Sequence, residues 1–421
     1  MAGISIESRE ELIYLLSEAA EVEHGVACSY LFAAFSMKSD VSEGVSGDQL
    51  AAIERWRSVL LQVAGQEMAH LTLASNMLTA IGAAPQLRRP NFPAGSGYYP
   101  DGFALVATPF NEETLQHFLF VERPQGMAMD DGVVYCAPGQ PHPDPVAHSD
   151  VTAEPRTFAT IGELYHVIEG GFRHLTDKLG AERLFIGPPK AQATSQYFGF
   201  DELVPVADLN SAIEAIETIV EEGEGARGDI EGSHYGRLLE IQGEYHQILA
   251  ADPAFTPARP VLENPFTRVP SDSPDVNVID DPFAVEVCDL FDDCYEVLLQ
   301  MLARFFAHTE ETPAELKALA GVAVDAMFVA IVPLGNMITT LPAGPSHPGL
   351  NAGPGFRFFR MLHTLPHRHA AWLIFMERLA ELSRYAAELG GRPDAPAVLA
   401  AIAGDLDELR SKLADAMEST A

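Results

Sequence analysis

Residues 66–78 read Gln-Glu-Met-Ala-His-Leu-Thr-Leu-Ala-Ser-Asn-Met-Leu. Leu71, Ala74 and Leu78, preceded by Trp56, Leu60 and Val63, recur at helical spacing and define a helix that buries one face. Glu67 and His70 fall within or beside that stripe, three residues apart. Charged side chains are almost never fully buried unless paired or bound to a metal, because an isolated carboxylate loses its hydration. An acid and an imidazole on a core-facing stripe therefore call for a cation.

The same pattern recurs on both sides of this stretch. In the helix expected over about Ser8 to Met37, Glu23 sits inside the stripe formed by Leu12, Leu15, Ala19, Ala27, Tyr30, Leu31 and Ala34. Farther on, Glu231 and His234 are again three apart, followed by Tyr235, Leu238, Ile241 and Tyr245 on their side of a helix. Residues three apart share a helix face, so a Glu and a His so placed reach one ion or two adjacent ones. Bundles that hold two iron or manganese ions draw one Glu from each of two helices and a Glu-x-x-His step from each of the other two.

Four helical stretches are expected: Ser8 to Met37, Gly47 to Ile81, Thr160 to Gly180, and Leu209 to Leu249, the last with a Gly-rich interruption at 223–228. Ser8 followed by Glu11 has the spacing of a capping box, and Gly82 then Pro85 close the second helix. A short polar link at 39–46 makes the first two helices antiparallel neighbours. A long Pro- and Gly-rich segment, 83–159, with one helix at Glu112 to Glu122, supplies the crossover of a ferritin-type bundle. In the order Glu, Glu-x-x-His, Glu, Glu-x-x-His, the first term is Glu23, the second Glu67 with His70, and the fourth Glu231 with His234. The third is open between Glu163 and Glu169, and helical rotation favours Glu169, which flanks the stripe of Ile161, Tyr165, Ile168, Phe172 and Leu175.

Other candidates have plainer readings. Glu221 and Glu224 read first as a solvated acidic loop and otherwise as an extra ligand; His363, His367 and His369 read as buried or surface histidines, and His142 and His148 as loop residues. Cys28 reads as a small core residue. Tyr98, Tyr99, Phe103 and Phe118 read as core or as the lining of a substrate pocket.

Composition excludes several classes. Lys plus Arg number 26 against 60 Asp plus Glu, a net charge of −34, and such a field repels nucleic acid and anionic lipid. The four cysteines, Cys28, Cys136, Cys288 and Cys294, lack zinc-ribbon or CxxC spacing; a reducing cytoplasm fits them, and the first residues do not read as a signal peptide. The apolar run 322–338 is interrupted by Asp325, Pro333 and Gly335 and reads as a buried helix with a break rather than a membrane span. There is no GxSxG elbow, Walker loop or GxGxxG after a strand. Residues 1–255 are expected to form the metal-binding bundle, 256–281 a Pro- and Asp-rich linker, and 282–421 a second helical module.

Several motifs together resemble one family. Glu-His-Gly-Val-Ala-Cys-Ser-Tyr-Leu from Glu23, the stretch from Gln66, Thr-Ile-Gly-Glu-Leu-Tyr from Thr160, Glu-Gly-Glu-Gly from Glu222, Ser-His-Tyr from Ser233 and Ala-Gly-Pro-Gly-Phe from Ala352 are similar to the ferritin-like, iminophenyl-pyruvate dimer synthase family. That family includes a domain of violacein- and chromopyrrolate-pathway enzymes. The resemblance implies an all-α, ferritin-like metal-binding fold at work in bacterial secondary metabolism, and it matches Glu163, not Glu169, to the recurring acid of the third helix.

The expected function is that of a non-haem dinuclear iron or manganese oxidase or oxygenase acting on a small molecule, amino-acid-derived or aromatic. Carboxylate oxygens with imidazole nitrogens suit both metals. The alternatives are metal storage or a helical partner protein with a vestigial site. A homo-oligomer is compatible with each reading.

Overall fold

The computed structural model describes residues 6–95, 104–130, 158–225, 230–270, 276–307, 310–359, 364 and 366–419. Tyr98, Tyr99, Phe103, Cys136, His142, His148 and His363 lie outside the described residues. The chain divides into two compact units, one of residues 1–192 with 202–258 and one of 193–201 with 259–421.

In the first unit, α1 (Arg9–Ser36) opens with the capping box expected at Ser8, whose hydroxyl accepts from the Glu11 N–H while Glu11 accepts from Ser8. A second box, Ser46 with Gln49, starts α2 (Gly47–Ala80), and Gly82 with φ +89° ends that run. Next come α3 (Glu112–Glu122), α4 (Ile161–Leu179) and the single turn α5 (Ala181–Leu184). The one-turn helix α6 (Ser195–Phe198) falls in the segment counted with the second unit. After it, α7 (Leu209–Gly223) and α8 (His234–Ala251) complete the first.

The bundle is closed by four helices, each packed on two others: α1 on α2, α2 on α7, α7 on α4, and α4 on α1. Every residue of α1 from Val22 to Ser36 is buried, so this helix has no solvent face along that length. By contrast, α4 and α7 bury single stripes, Tyr165, Ile168, Phe172 and Leu175 on one and Ala212, Ala215, Ile216 and Ile219 on the other. Each Leu, Ile or Phe so buried contributes about 1.5–3 kcal/mol. The last expected helix, Leu209 to Leu249, is two helices in the structure. Only α7 closes the bundle; α8 packs mainly against α3, with further contact to α2.

The second unit contains α9 (Pro282–Phe306), α10 (Pro313–Ala326), α11 (Val332–Ile338), α12 (Arg368–Gly390) and α13 (Val398–Glu418). Its four long helices also pack in a ring, α9 on α10, α10 on α13, α13 on α12 and α12 on α9. The break expected in the apolar run is a π-helical turn at Met327–Ile331. Pro333 follows it, and a proline removes a backbone donor and crowds the preceding turn, which the wider turn relieves. By length and composition Pro313–Ile338 is apolar enough to cross a membrane, and half of its most apolar window is buried inside the protein. Much of the expected linker is ordered: Pro265–Phe266 pairs in parallel with Asn277–Val278, and 259–281 belongs to the second unit.

Candidate metal centre

Six side chains from five helices converge inside the first unit. Glu23 comes from the middle of α1, Glu67 and His70 from α2, Glu122 from the last position of α3, Glu222 from the end of α7 and His234 from the first position of α8. All but Glu222 are buried, His234 completely. His70 Nδ1 lies 3.3 Å from Glu67 and 3.7 Å from Glu23, and its Nε2 lies 3.1 Å from Glu222. His234 Nδ1 lies 2.7 Å from Glu67 and 3.6 Å from Glu122. The two imidazoles stack with centroids 5.4 Å apart.

This geometry contains three three-donor groups: His70, Glu222 and His234 form one with Glu222 half-buried, and the other two are fully buried and share one acid. Glu23, Glu67 and His70 form the first of this buried pair and Glu67, Glu122 and His234 the second, with the donor atoms of each group within 4.8 Å of one another. Glu67 turns one oxygen toward each imidazole. Two tyrosines hold the outer acids: Tyr165 on α4 donates to Glu23 at 2.6 Å, and Tyr30 on α1 donates to Glu122 at 2.7 Å.

The protonation behaviour reflects concentrated charge. Burial, reinforced by Glu67, pushes Glu23 up to about 8 against the opposing pull of His70. Burial would raise Glu67 as well, but His234 and His70 hold it well below the carboxylate range. Burial opposes charging of His234, yet Glu67 and Glu122 push it up to about 9, and Glu67 likewise drives His70 upward. Without a cation, the two imidazoles carry the positive charge that the carboxylates require.

The donor set fits a metal. Carboxylate oxygens and imidazole nitrogens suit iron and manganese. Neither ring nitrogen of His234 has an aligned hydrogen-bond partner, although the residue is completely buried. A buried polar atom left unsatisfied costs about 1–3 kcal/mol, a cost that coordination to an ion would remove.

The inventory expected from the sequence, four Glu and two His, assembles with two acids exchanged. Glu23, Glu67, His70 and His234 come together; Glu163 and Glu231 lie elsewhere. His234 is the first residue of α8, after its N-cap Ser233, so Glu231 precedes the helix and three-residue spacing no longer places the pair on one face. Glu231 is exposed. Glu163 accepts from the Ala159 N–H at 2.8 Å and helps to cap α4. Glu169 pairs with Arg173 at 2.7 Å near the surface. From the third bundle helix it is Tyr165 that reaches the centre.

Glu122 and Glu222 stand in the cluster in their place, and both carried a legible signal. Glu122 continues the stripe of Leu115, Phe118 and Leu119 at helical spacing, and Glu222 continues that of Ala215 and Ile219. Each stands on an apolar face, as Glu23 and Glu67 do. His367 and His369 belong to the second unit, and His367 caps α12.

A small cavity beside Glu23, Glu67, His70 and Glu122 is bounded by Gly162, Val220 and Glu224. Those three residues also line a larger cavity, about 820 Å³, with Pro124, Gln125, His166, Ile216 and Ile230. Glu224 sits at the shared wall, accepting from the backbone N–H groups of Gly162 at 2.8 Å and Gln125 at 2.9 Å. Burial raises its pKa and these donors oppose the rise.

Comparison with known proteins agrees with the architecture. The dichlorochromopyrrolate synthase of Lentzea aerocolonigenes is 26% identical over 432 residues, covering 93% of this chain and 40% of that protein. The 2-imino-3-(indol-3-yl)propanoate dimerase of Chromobacterium violaceum is 27% identical over 381 residues, covering 83% of this chain and 34% of that protein. The chain thus spans well under half the length of either relative, and both names accord with the relation drawn from the motifs. A solved structure of a ferritin-like protein from Caulobacter vibrioides covers 79% of this chain and 98% of its own, with 16% identity and a TM-score of 0.48. Residues 16–243, more than half of the chain and including all six side chains of the cluster, match the Ferritin-like family, and with its all-α bundle this protein belongs to that family.

Proposed function

We propose that the six-residue cluster holds two ions of iron or manganese and that the protein is an oxidoreductase acting on a small aromatic molecule derived from an amino acid. The observation that carries this reading is the pair of buried three-donor groups joined through Glu67. Bound ions would supply redox and Lewis-acid chemistry. The protein's part is placement: Glu67 spans the two groups, while Tyr165 and Tyr30 orient the outer carboxylates. Packed side chains along α1 and α2 keep bulk water from that side.

The substrate class is supported by the name of one relative, a dimerase of 2-imino-3-(indol-3-yl)propanoate, and by a cavity of suitable size next to the centre. Its walls combine apolar side chains with polar groups, suiting a planar ring that bears a hydrogen-bonding tail. The resemblance of the motifs to violacein- and chromopyrrolate-pathway enzymes supports a place in bacterial secondary metabolism.

Elemental analysis of protein purified without chelator, before and after anaerobic loading with Fe(II) or Mn(II), tests the reading. About two ions per chain are expected, and oxygen uptake on adding arylpyruvate imines, formed by condensing the arylpyruvates with ammonia, should require them. A chain that binds no ion under either condition would overturn the proposal. Many ions per chain in a large shell would point to storage instead.

A further inference from the structure

Six donors surround the centre, but they are not equivalent. Glu222 differs from the other acids in what its carboxylate already does. Its Oε2 lies 3.1 Å from His70 Nε2 and also accepts from Gln66 Nε2 at 3.2 Å. The other end of the Gln66 amide, Oε1, accepts from the Arg237 guanidinium. Arg237 follows His234 by three residues on α8, and Gln66 immediately precedes Glu67 on α2.

The chemistry of these groups sets the direction of every bond. Arg has donors and no acceptor, so it must face the amide oxygen; an ionised carboxylate has acceptors only, so the amide NH2 must face Glu222. The chain Arg237 to Gln66 to Glu222 therefore runs in one sense. A carboxylate oxygen so engaged requires a proton on His70 Nε2, and that leaves Nδ1, which faces Glu23 and Glu67, as the coordinating atom.

We infer that Glu222 orients His70 rather than binding metal, and that Gln66 and Arg237 are positioning residues that hold Glu222 to this task. The inference rests on reading the cluster as a metal centre. It assigns five direct ligands, Glu23, Glu67, His70, Glu122 and His234, with Glu67 shared. It also links α2, α7 and α8, so that one hydrogen-bond chain across three helices sets His70.

The test uses the full chain loaded with Mn(II), with stoichiometry from elemental analysis and affinity from chelator competition. In Glu222→Gln and Glu222→Ala the count should stay at about two ions, with affinity about 10–100-fold weaker, the usual effect of losing a carboxylate partner of a ligating histidine. Arg237→Gln and Gln66→Leu should weaken affinity in the same range, and Arg237→Lys should restore most of it. The double variant Arg237→Gln/Glu222→Gln should bind no more weakly than Glu222→Gln alone, because both changes break one chain. Melting of the metal-free variants separates this effect from misfolding, and the three positions lie on different helices, so failure of one variant to fold leaves the others decisive. Loss of one ion in both Glu222 variants, with two in the wild type, would overturn this inference alone, as would additive losses in the double variant. A wild-type chain that binds no ion would overturn the metal-centre reading and this inference with it.

Discussion

Glu224 occupies the space that a side chain at position 162 would need: a Cβ on Gly162 would lie 2.6 Å from the Glu224 carboxyl carbon. The Thr-Ile-Gly-Glu motif thus has a use for its glycine that differs from the use expected for its acid. The missing side chain lets a carboxylate seat on the first turn of α4, where free N–H groups and the helix dipole favour negative charge.

Gly162→Ala should therefore displace Glu224 and destabilise the fold by about 1–3 kcal/mol, as overpacking does. Adding Glu224→Ala should recover part of that loss. Chemical denaturation of the two single variants and the double variant checks this; strictly additive losses would mean that the two residues do not compete for one space.

Metal content should separate the acids by position. Glu67→Ala should lose both ions, since Glu67 belongs to both fully buried donor groups, whereas Glu23→Ala and Glu122→Ala should each lose one. Glu163→Ala and Glu231→Ala should keep both. Elemental analysis of the five variants decides the matter, and loss of an ion from Glu163→Ala would favour the family motif over the geometry.

Tyr165→Phe removes the hydroxyl that donates to Glu23. Two ions should remain, bound about 10–100-fold more weakly, as for the loss of other outer partners of metal ligands. Titration with Mn(II) followed by its paramagnetic resonance measures the change. An affinity equal to that of the wild type would show that this hydrogen bond does not order the carboxylate.

The metal-free protein should become less stable as pH rises from about 6.5 toward 9. His234, pushed up to about 9, binds its proton more tightly folded than unfolded, so its contribution is complete below the unfolded pKa and is lost as pH climbs through the folded value. Glu23, raised to about 8, acts in the same direction, because the folded state keeps a proton that the unfolded state has released. Glu67, held low, contributes above its unfolded pKa, and that contribution is lost on acidification. The alkaline loss should be a few kcal/mol, because each tenfold difference in proton affinity between the folded and unfolded chain is worth about 1.4 kcal/mol. Bound metal should abolish it, since coordination replaces those protons. Thermal melting across this range, with and without Mn(II), tests the sign; a metal-free protein that gains stability toward pH 9 would contradict it.

Ordering within single helices was open to the sequence alone. The capping box at Ser8, the ends of α1 and α2, and the placement of Glu23, Glu67 and His70 on apolar stripes depend on residues within a few positions of one another, and helical geometry relates those directly. That local logic sufficed to establish a helical bundle and the chemical character of its interior. What it could not specify was which ends of which helices meet. Glu122 and Glu222 carried the same apolar-face signal as Glu67, but their convergence depends on α3 pairing with α8 and on α7 ending before the chain turns into α8. The second Glu-x-x-His step failed for the complementary reason, because one N-cap residue, Ser233, puts its two members on opposite sides of a helix boundary. Burial of charge is settled by the packing of several helices at once, so only the tertiary structure decides which acids share the centre and which, like Glu163, cap a helix instead.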